Sequence, residues 1–128
     1  MRECLKIFIV EDDDNIREIF SLALKFEGYD VESFANGQEA IDRLRKTIEP
    51  CLVLLDMMMP VLNGEGFMEQ FHKLPATIIP IPVFLISATS TKQESQKMGC
   101  RGFIKKPVDL DALLSIVRQF CKTIQTAA

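Results

Sequence analysis

The sequence contains no tryptophan, one tyrosine and one histidine, and its four cysteines show no C-x-x-C spacing. That spacing is typical of zinc sites and thiol redox motifs, so the cysteines do not indicate either kind of site. Three of the cysteines lie within or beside apolar runs, which predicts core thiols in a reducing cytosol; the four are Cys4, Cys51, Cys100 and Cys121. His72 lies in a helical segment beside Phe71, which favours a surface or packing role over catalysis.

Long uninterrupted apolar runs and an excess of basic residues are also absent. Pro80 and Pro82 interrupt the longest apolar stretch, residues 78–86, and the first six residues are too polar for a signal peptide. Fifteen basic and 18 acidic side chains give a net charge of -3, without the concentrated basic face that nucleic-acid binding needs. We therefore expect a soluble cytoplasmic protein that binds neither nucleic acid nor membranes.

The composition favours one compact domain. With 48% hydrophobic residues, a chain of 128 residues can bury a core of its own, so we expect a single domain over residues 1–128. Five short apolar runs alternate with segments of helical period; the runs are residues 5–10, 29–34, 51–55, 82–86 and 101–105. Because each right-handed crossover needs a helix, this alternation predicts a parallel sheet with helices on both faces. The second run alternates apolar and polar residues, as an edge strand does.

The helical segments differ in how much they can bury. The first has a predicted buried stripe of Ile16, Ile19, Phe20, Ala23 and Leu24. Asn36 with Glu39 three residues later resembles a capping box at the start of the second. Residues 91–98, the fourth, are polar apart from Met98, so we predict that this helix is the least stable.

Asp56 directly follows the third run, which reads as a central strand buried on both faces. Ligands of open parallel α/β sheets bind at the carboxyl ends of the strands, so a carboxylate at this position is suited to chemistry. A helix cap or a turn accounts for such an aspartate equally well. The position alone does not decide between the two interpretations.

Other polar residues follow neighbouring strands at the same predicted edge: Glu11 and Asp12 after the first, Ser87 after the fourth and Lys106 after the fifth. Crowded carboxylates favour a hard divalent cation such as Mg²⁺. Beside it, Asp56 can act as a nucleophile in phosphoryl transfer while Lys106 and Ser87 contact the phosphoryl oxygens. Each residue also has an ordinary structural explanation. Asp12 fits the N-terminus of a helix, Ser87 fits a helix cap, and Lys106 fits a surface lysine.

Taken together, these motifs resemble those of receiver domains of two-component response regulators, of the CheY-like stand-alone type. The match runs from Lys6 to about Lys122 and includes Arg17, Ser87-Ala88, Lys106-Pro107 and the pattern D-x-x-M-P-x-x-N-G that begins at Asp56. The resemblance implies a flavodoxin-like (βα)5 doubly wound parallel sheet with strand order 2-1-3-4-5. It further implies Mg²⁺-dependent phosphorylation of Asp56 by a histidine kinase or histidine phosphotransfer protein, with slow self-catalysed hydrolysis and no other enzymatic activity.

The resemblance also assigns roles. Asp12 and Asp56 would bind the metal directly, Glu11 would bind through water, and the backbone carbonyl of Met58 would complete the protein ligands. Ser87 and Phe103 would form the switch, with the aromatic ring turning inward when the hydroxyl moves towards the phosphoryl group. The face formed by helix four, strand five and helix five would then contact a downstream protein target. A cis peptide bond before Pro107 would turn the chain sharply at Lys106.

Three other functions compete with that of a receiver domain. A phosphatase of the haloacid-dehalogenase type needs D-x-D, but Met58 stands two residues after Asp56. A nucleotide switch needs a G-x-x-x-x-G-K-[ST] loop, and no strand is followed by one. The serious alternative is a degenerate receiver that binds proteins without being phosphorylated. Since we see no output domain, we expect the signal to leave through protein contact or onward phosphotransfer. We also expect a monomer or weak dimer.

Overall fold

The computed structural model describes residues 6–46, 50, 52–59, 61–75 and 80–121. The strands are β1 Lys6–Val10, β2 Asp30–Phe34, β3 Leu52–Asp56, β4 Val83–Ser87 and β5 Gly102–Lys105. The helices are α1 Asp14–Phe26, α2 Gly37–Leu44, α3 Gly64–Phe71, α4 Lys92–Lys97 and α5 Leu110–Phe120. Strands and helices alternate along the chain, as the apolar runs predicted.

The five strands form one parallel sheet in the order β2-β1-β3-β4-β5, which confirms the predicted fold. The strand order reverses between β1 and β3, so the ligand-binding crevice of this topology lies where these strands end. Val10 pairs with Leu55, and Asp56 pairs with Ile86 of β4. The register therefore brings Glu11, Asp12 and Asp56 to the same edge of the sheet.

Two apolar cores cover the two faces of this sheet. One contains side chains of α2 and α3, including Ile41 and Phe67, and the other contains side chains of α1 and α5, including Phe20 and Leu113. All five residues of β3 are buried, as predicted for a central strand. The first helix departs from its predicted stripe because Ile19 is 53% exposed.

Helix caps explain where the helices begin. The Asp13 carboxylate accepts hydrogen bonds from the backbone N–H groups of Asn15 and Ile16, which fixes the start of α1 directly after the acidic loop. The predicted capping box of α2 is only half formed. Asn36 accepts from the Glu39 N–H, but the Glu39 carboxylate accepts from the Asn36 side chain instead of its backbone.

Helix α4 has a complete capping box that the sequence interpretation missed. The Thr91 hydroxyl accepts from the backbone N–H of Glu94, and the Glu94 carboxylate accepts from the backbone N–H of Thr91. Ser95 is the buried residue of this helix, and its hydroxyl donates to the carbonyl of Lys92. The capping box therefore orders the first turn of this short polar helix. That α4 is the least stable of the helices remains a prediction.

The cysteines fit the sequence prediction only in part. Cys100 is a free, buried thiol, and burial raises its pKa to about 11. Cys121 is buried but disulfide-bonded, so the expectation that it is a free core thiol is wrong. The cysteines therefore no longer support a reducing compartment. Within the described ranges, no helix is long and apolar enough to cross a membrane.

Candidate functional site

The backbone at the site is fixed by hydrogen bonds that continue the sheet one residue beyond the strands. Each of three N–H groups donates to a carbonyl of the neighbouring strand at 3.0 Å: Glu11 to Phe34, Met57 to Ile86, and Lys106 to Ser87. The residues beside these bonds consequently have little freedom to move away from the edge. Strand pairing, rather than the loops, positions the candidate side chains.

Three carboxylates meet at this edge. One oxygen of each of Glu11, Asp12 and Asp56 lies within 4.8 Å of the others. Glu11 and Asp56 are 3% and 2% exposed, whereas Asp12 is exposed. Burial, together with the adjacent Asp56 carboxylate, raises the pKa of Glu11 to about 8. The group is thus a crowded set of hard oxygen donors, which a divalent cation would relieve.

Lys106 supplies the opposite charge. Its ammonium nitrogen lies 3.0 Å from Oδ1 of Asp56. Burial lowers the pKa of Lys106, but the hydrogen bond and charge of Asp56, with the charges of Glu11 and Asp12, outweigh that effect and leave the pKa raised. The side chain therefore remains positively charged beside Asp56. The peptide bond between Lys106 and Pro107 is cis, as predicted.

Ser87 is the last residue of β4 and is 2% exposed. It lies in the sheet between Asp56 and Lys106, because Ile86 pairs with Asp56 while Ser87 pairs with Lys105 of β5. Its hydroxyl contacts the loop that follows it: it accepts from the N–H groups of Thr89 and Ser90 and donates to the hydroxyl of Ser90. The hydroxyl is therefore fully engaged with the loop.

The two remaining predicted residues lie beside the cluster. Met58 has a side chain that is 69% exposed, and its backbone N–H is 3.4 Å from Oδ1 of Asp56. Phe103 is half-buried in β5, where it pairs with Leu85. Their roles as metal ligand and switch residue stay predictions.

Arg17 holds the acidic loop in place. Its guanidinium donates to the carbonyl of Glu11 at 2.9 Å and to that of Asp12 at 3.5 Å, and it pairs with the Asp14 carboxylate at 2.5 Å. The sequence identifies Arg17 only as one of the residues that resemble those of receiver domains. The structure adds its contacts, which depend on the chain doubling back from β1 into α1.

Val61 has a backbone φ of 70° in the loop between β3 and α3, and its side chain is 80% exposed. This left-handed conformation is strained for a β-branched residue. It lies five residues after Asp56, in the loop that connects the site to α3. No sequence signal predicted it, since valine ordinarily avoids this conformation.

A cavity of about 500 Å³ opens beside the cluster, between α1 and the loop that follows β5. Glu11 and Lys106 line it together with apolar side chains that include Ile19. Further along α1, three exposed apolar side chains follow at helical spacing: Ile19, Leu22 and Phe26, which are 53%, 59% and 89% exposed. We call these three residues the α1 stripe. An apolar surface of this kind is typical of a protein contact.

The fold and this edge define a class: doubly wound α/β proteins with buried carboxylates and a paired lysine at the carboxyl ends of the strands. The family model described as response regulator receiver domain matches residues 7–118. The chain belongs to that family.

A curated relative is also a response regulator, and solved structures of receiver proteins have the same fold. The chain is 31% identical to response regulator Rre1 of Synechocystis over 132 residues, covering 100% of this chain and 56% of Rre1. It is 26% identical to chemotaxis protein CheY4 of Vibrio cholerae, with a TM-score of 0.80, covering 91% and 98% of the two chains. The receiver domain of PA1611 from Pseudomonas aeruginosa, crystallised with magnesium in its active site cleft, shares the fold at 21% identity (TM-score 0.79; 91% and 97% coverage).

The chain spans about half the length of the curated relatives that it matches. The family establishes a receiver domain of the phosphorylation-switch kind in two-component signalling. Proteins of this kind act as signalling phosphoacceptors and are not enzymes in the ordinary sense.

Proposed function

We propose that Asp56 accepts a phosphoryl group from a phosphohistidine donor and thereby switches the conformation of this domain. One observation carries the proposal: Asp56 is 2% exposed, and the Lys106 ammonium lies 3.0 Å from its Oδ1. A buried carboxylate paired with a lysine, at the edge where parallel sheets bind ligands, is suited to nucleophilic attack. Among the described residues, the neighbouring carboxylates Glu11 and Asp12 form no ion pair, whereas Asp56 pairs with Lys106.

The residues present fit a magnesium ion. Three carboxylates with oxygens within 4.8 Å of one another form a hard donor set. Asp12 and Asp56 would hold the ion directly, Glu11 through water, and Met58 through its backbone carbonyl. When bound, magnesium neutralises charge on the phosphoryl oxygens and on the crowded carboxylates. Magnesium in the cleft of the PA1611 receiver domain is consistent with this assignment.

In the transfer, an oxygen of Asp56 attacks phosphorus while the bond between phosphorus and the donor nitrogen breaks, and the histidine leaves with the electron pair of that bond. The Lys106 ammonium stabilises the charge on the transferred oxygens, and the Ser87 hydroxyl donates to one of them. Water attack on the same phosphorus, with Asp56 as leaving group, returns the domain to its resting state. The domain in this way assists both its phosphorylation and its dephosphorylation.

The donor must bring its phosphohistidine to the mouth of the cavity that Glu11 and Lys106 line. Ile19 lines that cavity and begins the α1 stripe, so the exposed apolar surface is continuous with the site. We infer that a histidine kinase or histidine phosphotransfer protein docks an apolar helical surface on the α1 stripe. Burial of these side chains would supply affinity without involving the site residues.

Ser87 and Phe103 are the residues proposed to relay the phosphorylation of Asp56 to the surface of the domain. Movement of the Ser87 hydroxyl towards the phosphoryl group would free space next to β5, and Phe103 would turn into it. The face of α4, β5 and α5 would then present a changed surface to a downstream protein, or Asp56 would pass its phosphoryl group onward. A degenerate receiver is disfavoured because Asp56 retains its lysine and acidic neighbours. The cytoplasmic location and the monomeric or weakly dimeric state remain predictions.

Mass spectrometry tests the proposal. Incubation with phosphoramidate and Mg²⁺ should add one phosphoryl group to the parent chain and none to Asp56→Asn. Asp42→Asn, a change at an exposed aspartate of α2, is the matched control and should be labelled like the parent. An unlabelled parent would support the binding-module alternative, and stable labelling of Asp56→Asn at another side chain would contradict the assignment to Asp56.

A further inference from the structure

The hydroxyl of Ser87 has no unused hydrogen-bonding capacity. It accepts two bonds, from the N–H groups of Thr89 at 3.2 Å and Ser90 at 2.9 Å. A hydroxyl has two acceptor lone pairs and one proton, so the proton is the only group left for a further bond. That proton points to the Ser90 hydroxyl oxygen, 2.9 Å away.

We propose that Ser90 is a positioning residue that holds Ser87 in the resting state of the switch by accepting its only proton. The inference rests on the proposed function, because Ser87 must donate the same proton to a phosphoryl oxygen after transfer. Ser90 and the phosphoryl group cannot both receive it. They therefore compete for one hydrogen bond.

The two acceptors that compete for the Ser87 proton differ in charge. Ser90 offers a neutral oxygen, whereas the phosphoryl group offers a charged one, and hydrogen bonds to charged acceptors are roughly twice as strong. The phosphoryl oxygen is therefore the preferred acceptor. Part of the free energy gained from its hydrogen bond with Ser87 is offset by the loss of the hydrogen bond between Ser87 and Ser90. Ser90 in this way disfavours the active conformation while Asp56 is unmodified.

The contact also links the site to α4. Ser90 directly precedes Thr91, whose hydroxyl caps this helix, and the bonds from Thr89 and Ser90 to Ser87 define the loop between β4 and α4. When Ser87 turns towards a phosphoryl group, these N–H groups lose their acceptor. The loop must then rearrange next to the first turn of α4, which belongs to the proposed output face.

The test is the affinity of the chain for beryllium fluoride with Mg²⁺, measured by NMR titration. Ser90→Ala removes the competing oxygen and should bind the complex about threefold to tenfold more tightly, the equivalent of one neutral hydrogen bond. Ser90→Thr keeps the oxygen and should bind like the parent. Ser33→Ala, a change at an exposed serine of β2, is the control for loss of a serine hydroxyl.

A double-mutant cycle identifies the partner of Ser90. On a Ser87→Ala background, Ser90→Ala should no longer change the affinity, because the proton in question is gone. Unchanged or weaker binding by Ser90→Ala, in a protein whose parent binds the complex, overturns the role of Ser90 and leaves the proposed function intact. A parent that binds no complex overturns both. Thermal melts of the four proteins separate these outcomes from a failure to fold.

Discussion

The ammonium nitrogen of Lys106 lies 3.0 Å from Oδ1 of Asp56, although 50 residues separate them along the chain. Asp56 is buried, and Glu11 and Asp12 place two further carboxylates beside it. Lys106 is thus the cation that pairs with this group of acidic side chains in the folded protein. Its contribution to stability should depend on whether another cation is present.

Lys106→Ala should lower the free energy of unfolding by about 1–2 kcal/mol without metal, because the buried Asp56 carboxylate loses a charged hydrogen bond that is partly screened by solvent. Saturating Mg²⁺ should reduce this loss, since the metal replaces the missing positive charge. Urea denaturation with and without Mg²⁺ measures both values. Lys105→Ala, at the exposed neighbouring lysine, should leave the free energy of unfolding unchanged both with and without Mg²⁺. An equal loss under both conditions would contradict the electrostatic explanation.

Arg17→Ala should weaken Mg²⁺ binding. The guanidinium holds the carbonyls of Glu11 and Asp12, so its removal leaves the acidic loop less ordered before the metal binds. We expect a loss of about tenfold in affinity by calorimetric titration, at the lower end of such indirect effects. Arg45→Ala is a matched control because Arg45 also pairs with an aspartate three residues earlier. Equal affinities in the two variants would show that loop order does not matter.

Ser21→Ala should stabilise the protein. Ser21 is 7% exposed, and its hydroxyl oxygen has no hydrogen-bond partner among the described residues. A buried hydroxyl without a partner costs about 1–3 kcal/mol, so its removal should increase the free energy of unfolding by at least about 1 kcal/mol. Ser115→Ala, at an exposed position of α5, controls for the higher helix propensity of alanine. Equal gains in the two variants would attribute the effect to propensity alone.

Val61→Gly should also stabilise the protein. Relief of the strain at a φ of 70° is worth about 1–3 kcal/mol, against about 0.5–1 kcal/mol for the greater freedom of glycine in the unfolded chain. A net gain of roughly 1 kcal/mol should appear in chemical denaturation. Ala35→Gly, in a loop without positive φ, should be destabilising. A loss of stability in Val61→Gly would mean that the surrounding loop compensates for the strain.

Leu22→Asp should slow phosphotransfer from a phosphorylated histidine phosphotransfer protein that labels the parent chain. The charge is introduced at the centre of the α1 stripe, where the apolar surface of the donor is proposed to dock, and a loss of about tenfold or more is expected. Labelling by phosphoramidate should not change, since this small donor needs no docking surface. Gln93→Asp adds the same charge on α4, away from the stripe. Equal slowing with both donors would indicate damage to the site itself.

Much of the site could be predicted from the sequence because its residues follow strands. The carboxyl ends of parallel strands lie at one edge, so the alternation of apolar runs with helical segments was enough to group Glu11, Asp12, Asp56, Ser87 and Lys106. Asp13 and Asp109 cap α1 and α5 through an equally local interaction, since each carboxylate accepts from backbone N–H groups two or three residues away.

Only the tertiary structure decided which neighbours these residues meet. Helical period placed Ile19 on an apolar stripe, but its side chain is 53% exposed, because the packing of α1 in the folded protein decides which of its faces is covered. The bond between the hydroxyls of Ser87 and Ser90 depends on the path of a loop, and the contact of Lys106 with Asp56 joins residues 50 positions apart. Sequence patterns report interactions within about one helical turn or along one strand, whereas these contacts depend on the packing of elements that are distant in the chain.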